Sequence, residues 1–245
     1  MSSVRTVVVS GGGTGIGRAV ARRLAGGGQH VTVTGRRRAP LDRVAAASGL
    51  VDVVAADVST VAGAESVAAR IRLAERACAG VVAAAGGLAP SGDAGLAGIA
   101  EDWQESFESN VLSAVLLVEA MRADLEAHAG RVVLLSSVAA LRGSGGGPYG
   151  AMKAALHAWA FDLASDLGRY QGTANVIAPG FVPDTEFWAG RLNDDIMAQR
   201  SGQTLVGRPG TPDEVASLIA WLLGPDGGWV TGQVLSPNGG VVLGR

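Results

Sequence analysis

Two side chains set four apart, Tyr149 and Lys153, could do acid/base work if the segment around them is helical, because that spacing places both on one face. Pro148 suits a first helical turn, where its fixed φ and missing N–H cost nothing, so a helix beginning after the glycine run 143–147 is expected. An ammonium beside a phenol favours the phenolate and draws its proton exchange down from about pH 10 towards neutrality. The pair by itself is equally what chance would leave on a solvated helix face. Its weight comes from what surrounds it.

Ser136 closes the apolar run Val132 to Leu135, and a serine at a strand end is placed for chemistry as readily as for capping a turn. Asn110 sits where a long helical segment, 101–125, becomes strongly apolar; it either satisfies a backbone group at a kink or faces a site. The histidines His30, His128 and His157 have no metal-ligand spacing, so no metal is expected, and structural or surface roles suit them better.

The elements that must hold these residues repeat one unit. Short β-branched runs closed by glycine or proline (7–10, 30–34, 51–55, 81–85, 132–135, 174–178 and 232–235) alternate with helical stretches at 18–24, 61–77, 101–125, 149–167 and 211–223. That rhythm predicts an α/β fold of one domain over 1–245: a doubly wound parallel sheet, the Rossmann arrangement, with helices on both faces. Residues 88–99 read as a loop over a cleft. Residues 181–207, with Phe181, Phe187, Trp188 and Leu192 but no firm period, read as a substrate lid.

At the first strand end, Gly11-Gly12-Gly13-Thr14-Gly15-Ile16-Gly17 leads into a helix, the context in which a backbone can approach a pyrophosphate at a helix N-terminus. A site for NAD(H) wants a carboxylate at the second strand end. Here Gly35 is followed by Arg36 and Arg37, which suit a 2′-phosphate and favour NADP(H) over NAD(H). Asp57, after the third strand, caps a turn or contacts adenine.

Composition sets the outer limits. The chain has 245 residues, 48% hydrophobic and 17% charged, which excludes disorder, and its net charge of −2 gives no field for nucleic acid or an anionic membrane. A single cysteine, Cys78, excludes an internal disulfide framework, and with no signal-peptide layout or spanning stretch a soluble, cytoplasmic protein is expected.

In register, these motifs resemble the short-chain dehydrogenase/reductase family, single-domain branch, across nearly the whole chain. Ser10-Gly11-x-x-x-Gly15-Ile16-Gly17 is similar to the family's cofactor motif, with Ser10 in place of the commoner threonine. Asn110, Ser136, Tyr149 and Lys153 fall on its catalytic tetrad, Ser136 standing thirteen residues before Tyr149. Pro179-Gly180-Phe181-Val182 and Thr185 resemble the segment that meets the nicotinamide, and Gly232-Gln233-x-Leu235-x-x-x-Gly239-Gly240 resembles the last strand. The resemblance adds Gly13, Thr14, Asp57, Val58, Ala84 and Gly86 to the cofactor-binding set. Two departures stand out: Ala83-Ala84-Ala85-Gly86 lacks the family's usual asparagine pair, and Asn238 replaces a frequent aspartate.

The resemblance implies hydride transfer between a nicotinamide and a carbonyl or secondary alcohol. Tyr149 would be the acid, Ser136 would bond the same oxygen, Lys153 would lower the Tyr149 pKa and hold the ribose, and Asn110 would anchor a water. The nearest pattern is that of 3-oxoacyl thioester reductases, with acyl carrier protein or coenzyme A carrying the substrate. A reductase of another small ketone or a polyketide intermediate reads almost the same, and a non-catalytic NADP(H)-binding regulator is the alternative of another class. A methyltransferase also has a glycine turn but leaves the Tyr149 helix unexplained. Relatives of this kind imply a homotetramer or homodimer.

Overall fold

Valine alternation dictates the sheet. In the computed structural model, which describes residues 4–88, 95–143 and 147–244, the strands are β1 (Val4–Ser10), β2 (His30–Gly35), β3 (Val51–Ala55), β4 (Arg76–Ala83), β5 (Arg131–Leu135), β6 (Thr173–Ile177) and β7 (Val234–Leu235). They form one parallel sheet in the order β3-β2-β1-β4-β5-β6-β7. Successive side chains point to opposite faces. Val8, Val81, Val132 and Leu134 therefore enter one core, while Val7, Val9, Val82 and Val133 enter the other.

Ten helices connect or cover the described strands: α1 (Gly15–Gly26), α2 (Arg38–Ala45), α3 (Val61–Leu73), α4 (Leu96–Phe107), α5 (Ser113–Ala120), α6 (Arg122–Ala127), α7 (Ala139–Arg142), α8 (Tyr149–Gly168), α9 (Asp194–Gly202) and α10 (Pro212–Leu223). One core takes Val67 and Ile71 of α3, Leu117 and Val118 of α5, and Leu156, Ala160 and Leu163 of α8; the opposite one takes Val20 and Leu24 of α1, Leu41 and Val44 of α2, and Ile219 and Leu222 of α10. The doubly wound fold expected from the sequence is what forms. Burying one such Leu, Ile or Val contributes roughly 1.5–3 kcal/mol, so both cores are needed to hold the sheet between its layers.

Three boundaries differ from expectation. The helix read over 61–77 stops at Leu73, and Ala77, Cys78 and Gly80 extend β4 instead. Small residues carry little strand signal of their own, and pairing with β1 decides the matter, with a register shift opposite Thr6 and Val7. The segment expected as one helix over 101–125 is broken: a π turn at Glu108–Leu112 separates α4 from α5, and Met121 separates α5 from α6. The loop expected over 88–99 ends earlier, since α4 begins at Leu96; its residues 89–94 lie outside those described, as does 144–146 of the glycine run. The lid also has structure of its own, a 3-10 turn at Glu186–Trp188 and α9.

Among the described residues, no helix is long and apolar enough to cross a membrane. Strand order reverses direction between β1 and β4, so the α helices that follow them diverge and leave a crevice at the strands' carboxyl ends. The site occupies that crevice.

Candidate active site

A cavity of about 970 Å³ runs along the carboxyl ends of the strands. One end is floored by Gly11, Gly13, Thr14, Gly15, Ile16 and Gly17 and flanked by Gly35, Arg36, Arg37, Asp57 and Val58; the other is walled by Ser137, Tyr149, Phe181, Phe187 and Trp188. Ala84, Gly86, Pro179, Gly180, Val182 and Thr185 line it too. Its size suits a nucleotide with room for a second molecule.

The glycine end has the build of an anion cradle. A Cβ at Gly17 would lie 2.3 Å from the Gly11 carbonyl oxygen, so only glycine lets this turn close onto α1. Thr14, the N-cap of α1, makes no side-chain cap bond, which leaves first-turn N–H groups facing the cavity floor. Ser10 supplies the bracing that the missing asparagine pair would give: its Oγ accepts from the backbone N–H groups of Ala84 and Ala85, both at 3.1 Å, tying β1 to the end of β4. These residues fit a dinucleotide.

Asp57 caps its turn, one of the two roles that the sequence left open to it. Its Oδ1 accepts from the Ser59 hydroxyl at 2.7 Å and the Ser59 N–H at 3.1 Å, and the residue also lines the cavity. Those bonds, with Arg36 nearby, hold its carboxyl below the usual range despite partial burial. Arg37, by contrast, is ion-paired with Glu186 of the lid, so the two cations after β2 are not equivalent.

At the other end α8 sets the phenol and the amine on one side, as the spacing predicted. Lys153 Nζ lies 5.9 Å from the centre of the Tyr149 ring and donates to the Leu135 carbonyl at 2.9 Å. The electrostatics correct the expectation. Burial pushes the Tyr149 pKa up, opposed only by a hydrogen bond to the Ser137 side chain, and burial pulls Lys153 down to about 8.

That shift makes a prediction about stability. A lysine whose pKa falls from 10.5 unfolded to about 8 folded binds more protons unfolded, so its burial costs most below pH 8 and the cost is relieved as pH rises towards 10.5. Urea unfolding of the nucleotide-free protein at pH 8 and pH 10 is expected to show wild type gaining about 2–3 kcal/mol relative to Lys153→Met. A difference that does not move with pH would mean that the amine is solvated.

The serine assignment also needs correction. Ser136 lines the cleft, but its hydroxyl is engaged elsewhere: buried, it donates to the Lys153 carbonyl at 2.9 Å and lies 2.8 Å from His157 Nε2. It shares the parity of Leu134 on β5 and so points towards α8. The hydroxyl that shares the cleft wall with Tyr149 and works against its raised pKa belongs to Ser137, twelve residues before it. A doublet at a strand end carried the signal, because the residue that leaves the strand, and not the last one inside it, can turn into the crevice. His157 lies under the site and not on the surface, and burial keeps its imidazole below its ordinary pKa.

Asn110, too, is placed otherwise than as a side chain in the cavity. Buried at the π turn, its Nδ2 donates to the carbonyls of Gly87 at 2.9 Å and Ser106 at 3.0 Å, while its Oδ1 accepts from the Gly87 N–H at 3.1 Å. Both amide hydrogens and one lone pair of Oδ1 are engaged in holding the chain after β4 against the wide turn. Gly86 must be glycine here, with φ of 134° and a Cβ position 2.5 Å from Asn110 Oδ1. Among the described residues, no group of three or more His, Cys, Asp or Glu could hold a metal.

Comparison with known proteins agrees with this layout. A family model described as enoyl-(acyl carrier protein) reductase matches residues 11–242. The chain is 31% identical over 256 aligned positions to the short-chain reductase protein NovJ of Streptomyces niveus, covering 98% of this chain and 95% of that one. It is 34% identical over 145 positions to the 3-oxoacyl-[acyl-carrier-protein] reductase FabG of Escherichia coli K12, a match that covers 58% of this chain and 59% of FabG. A solved structure, a mutant of a Serratia marcescens short-chain dehydrogenase/reductase, superposes with a TM-score of 0.87 at 29% identity, covering 98% of both chains. On fold, cleft and sequence together, the chain belongs to the short-chain dehydrogenase/reductase family and is an oxidoreductase of the kind that works with a nicotinamide cofactor.

Proposed function

We propose that this enzyme is an NADP(H)-dependent reductase of a carbonyl, a 3-oxoacyl thioester in the first instance, and that Tyr149 and Ser137 together hold the reacting oxygen. The observation that carries the reading is the placing of Tyr149, Ser137 and Lys153 together on the wall of the nucleotide-sized cleft, with Lys153 Nζ 5.9 Å from the centre of the Tyr149 ring. A bound nicotinamide supplies the hydride. As the carbonyl carbon gains that hydride, the electron pair of the C=O bond moves onto oxygen, and Tyr149 donates its proton there while Ser137 donates a hydrogen bond. A phenol whose pKa is raised by burial arrives protonated, as an acid must.

Lys153 is placed to act on what lies beside the phenol, through its charge and through any hydroxyl within reach of Nζ. The remaining residues position: Asn110 fixes the π turn and Gly87, Ser136 and His157 anchor α8 to the end of β5, and Gly15 packs against Thr185 so that the lid meets the glycine turn. Acyl carrier protein as carrier of the thioester follows from the FabG likeness and belongs to the same proposal. A homotetramer or homodimer is proposed too. Segment 112–118 puts Ala114, Leu117 and Val118 in the core, whereas Leu96, Ile99, Trp103 and Phe107 of α4 expose an apolar edge for such a contact.

The NADP(H) preference rests on Arg36, which lines the cleft beside Gly35, while Glu186 engages Arg37. Oxidation of NADPH and NADH by the purified protein with a panel of 3-oxoacyl thioesters, ketones and polyketide-like diketones tests both parts. Turnover favouring NADPH is expected; tight NADPH binding with no turnover across the panel would instead support a regulator. Arg36→Asp is expected to lower the NADPH/NADH ratio of kcat/KM by roughly 10- to 100-fold, the worth of one charge-assisted phosphate contact. An unchanged ratio would remove Arg36 from the phosphate site.

A further inference from the structure

The charge lining the cleft is lopsided in a way that the cofactor does not account for. Its walls carry Arg36, Arg37, Arg142, Lys153, Arg191 and Arg200 but only two carboxylates, Asp57 and Glu186, within a chain whose net charge is −2. Both carboxylates work at the nucleotide end: Glu186 pairs with Arg37, and Asp57 sits near Arg36. Arg142, Arg191 and Arg200 have no carboxylate partner among the described residues. Three guanidiniums thus face the cleft with their charge uncompensated.

Aromatic rings fix where two of them sit. Phe187 packs on the Tyr149 ring with centres 5.3 Å apart, and the Arg191 guanidinium lies 5.7 Å from the centre of Phe187. Trp188 meets Phe187 edge-on at 5.2 Å, and Arg200 lies 5.4 Å from its ring centre. Arg142, at the end of α7, donates to Gln203 just past α9 at 3.3 Å. The cations come from three separate stretches of chain, and all three line the cleft that Tyr149, Phe187 and Trp188 also line.

A guanidinium held against a ring face keeps its in-plane N–H fork free, and that fork matches a carboxylate or a phosphate with two parallel hydrogen bonds. We propose that the carbonyl substrate bears its own oxyanion, a carboxylate or a phosphate, and that Arg191 and Arg200, assisted by Arg142, receive it while Tyr149 receives the carbonyl oxygen. This rests on the reading of the cleft as a carbonyl reductase. The rings of Phe187 and Trp188 lie between the two polar ends, so the substrate presents an apolar stretch between carbonyl and anion.

The test compares matched pairs on the NADPH-loaded enzyme. One pair is 7-oxooctanoate against its methyl ester; the other is an acetoacetyl thioester of phosphopantetheine against that of pantetheine. The anionic member of at least one pair is expected to show the higher kcat/KM, through KM, with the advantage shrinking as salt screens the cleft mouth. A preference in the first pair assigns the oxyanion to a carboxylate, and one confined to the second assigns it to a phosphate. The Arg191→Gln, Arg200→Gln double variant is expected to cut the anionic-to-neutral ratio roughly ten-fold, and the corresponding Lys pair to restore part of it.

Calorimetric binding of hexanoate against hexanamide to the enzyme with NADP+ reads the same discrimination without turnover, with hexanoate expected to bind more tightly in wild type. The proposal falls if neither pair favours its anionic member and hexanoate binds no better than hexanamide, or if the ratio ignores the Gln substitutions. Tyr149-dependent reduction of the neutral members with no anion preference would overturn the oxyanion alone and leave carbonyl reduction standing. No reduction of any member, with hexanoate still favoured in an arginine-dependent way, would support the anion site and sink the reductase reading.

Discussion

Tyr149→Phe is expected to lower kcat for ketone reduction by roughly 10²- to 10⁴-fold, the worth of a positioned general acid, while leaving nucleotide affinity within a few-fold of wild type. The substitution removes one oxygen and keeps the ring, so the contact with Phe187 at 5.3 Å and the start of α8 survive. Little stability should be lost, because the hydroxyl's partner, Ser137, stands on a cavity wall where water can replace it. Stopped-flow oxidation of NADPH, with a melting curve of each protein, separates lost chemistry from lost fold. Retention of a tenth or more of wild-type kcat would show that the proton comes from another group.

The pH dependence of the same reaction follows from burial and not from the Tyr–Lys pairing that the sequence invites. With the Tyr149 pKa raised and Lys153 held at about 8, the phenol is protonated throughout the neutral range and the amine is the group that titrates near it. Loss of ketone reduction on the alkaline side is expected to begin with discharge of Lys153, and a kcat/KM profile that stays flat from pH 7 to 9 would exclude it.

How far the sequence could carry this reading depended on whether a feature is local. The cofactor end was legible because its parts are contiguous: a valine run, a glycine turn and a helix start lie within residues 7–24, and alternation of side chains does the rest. The order of strands and the two-sided core follow from the same repetition. Where several partners compete for one segment, local pattern failed. Ala77 reads as the end of a helix, and the small residues 78–80 as no strand, until pairing with β1 is known, and the apolar run through 101–125 hides a π turn that Asn110 stabilises through bonds to Gly87, twenty-three residues earlier. The Arg37–Glu186 pair joins residues 149 apart, so no local signal could have split Arg36 from Arg37. The lid's ring stack on Tyr149 was likewise invisible before the lid had been placed.

The two serines after β5 give the sharpest separation between what spacing invites and what geometry supports. Ser137→Ala is expected to lower kcat by roughly 10²- to 10³-fold, as loss of one donor to a developing oxyanion does, with little change in melting temperature. Ser136→Ala is expected to act in the opposite manner. Its hydroxyl joins the Lys153 carbonyl and His157 inside the protein, so removal leaves the imidazole short of a partner and costs about 1–3 kcal/mol of stability. Activity at a temperature where the variant is folded should fall far less than in Ser137→Ala. Ser136→Thr and Ser137→Thr sharpen the contrast: a hydroxyl survives in both, but the added methyl meets a packed interior at 136 and the open cleft wall at 137. If Ser136→Ala proves the catalytic knockout and Ser137→Ala keeps wild-type kcat, the hydrogen bond to Tyr149 is not the one used in the reaction. The helix face carrying Tyr149 must then turn towards Ser136 when substrate binds.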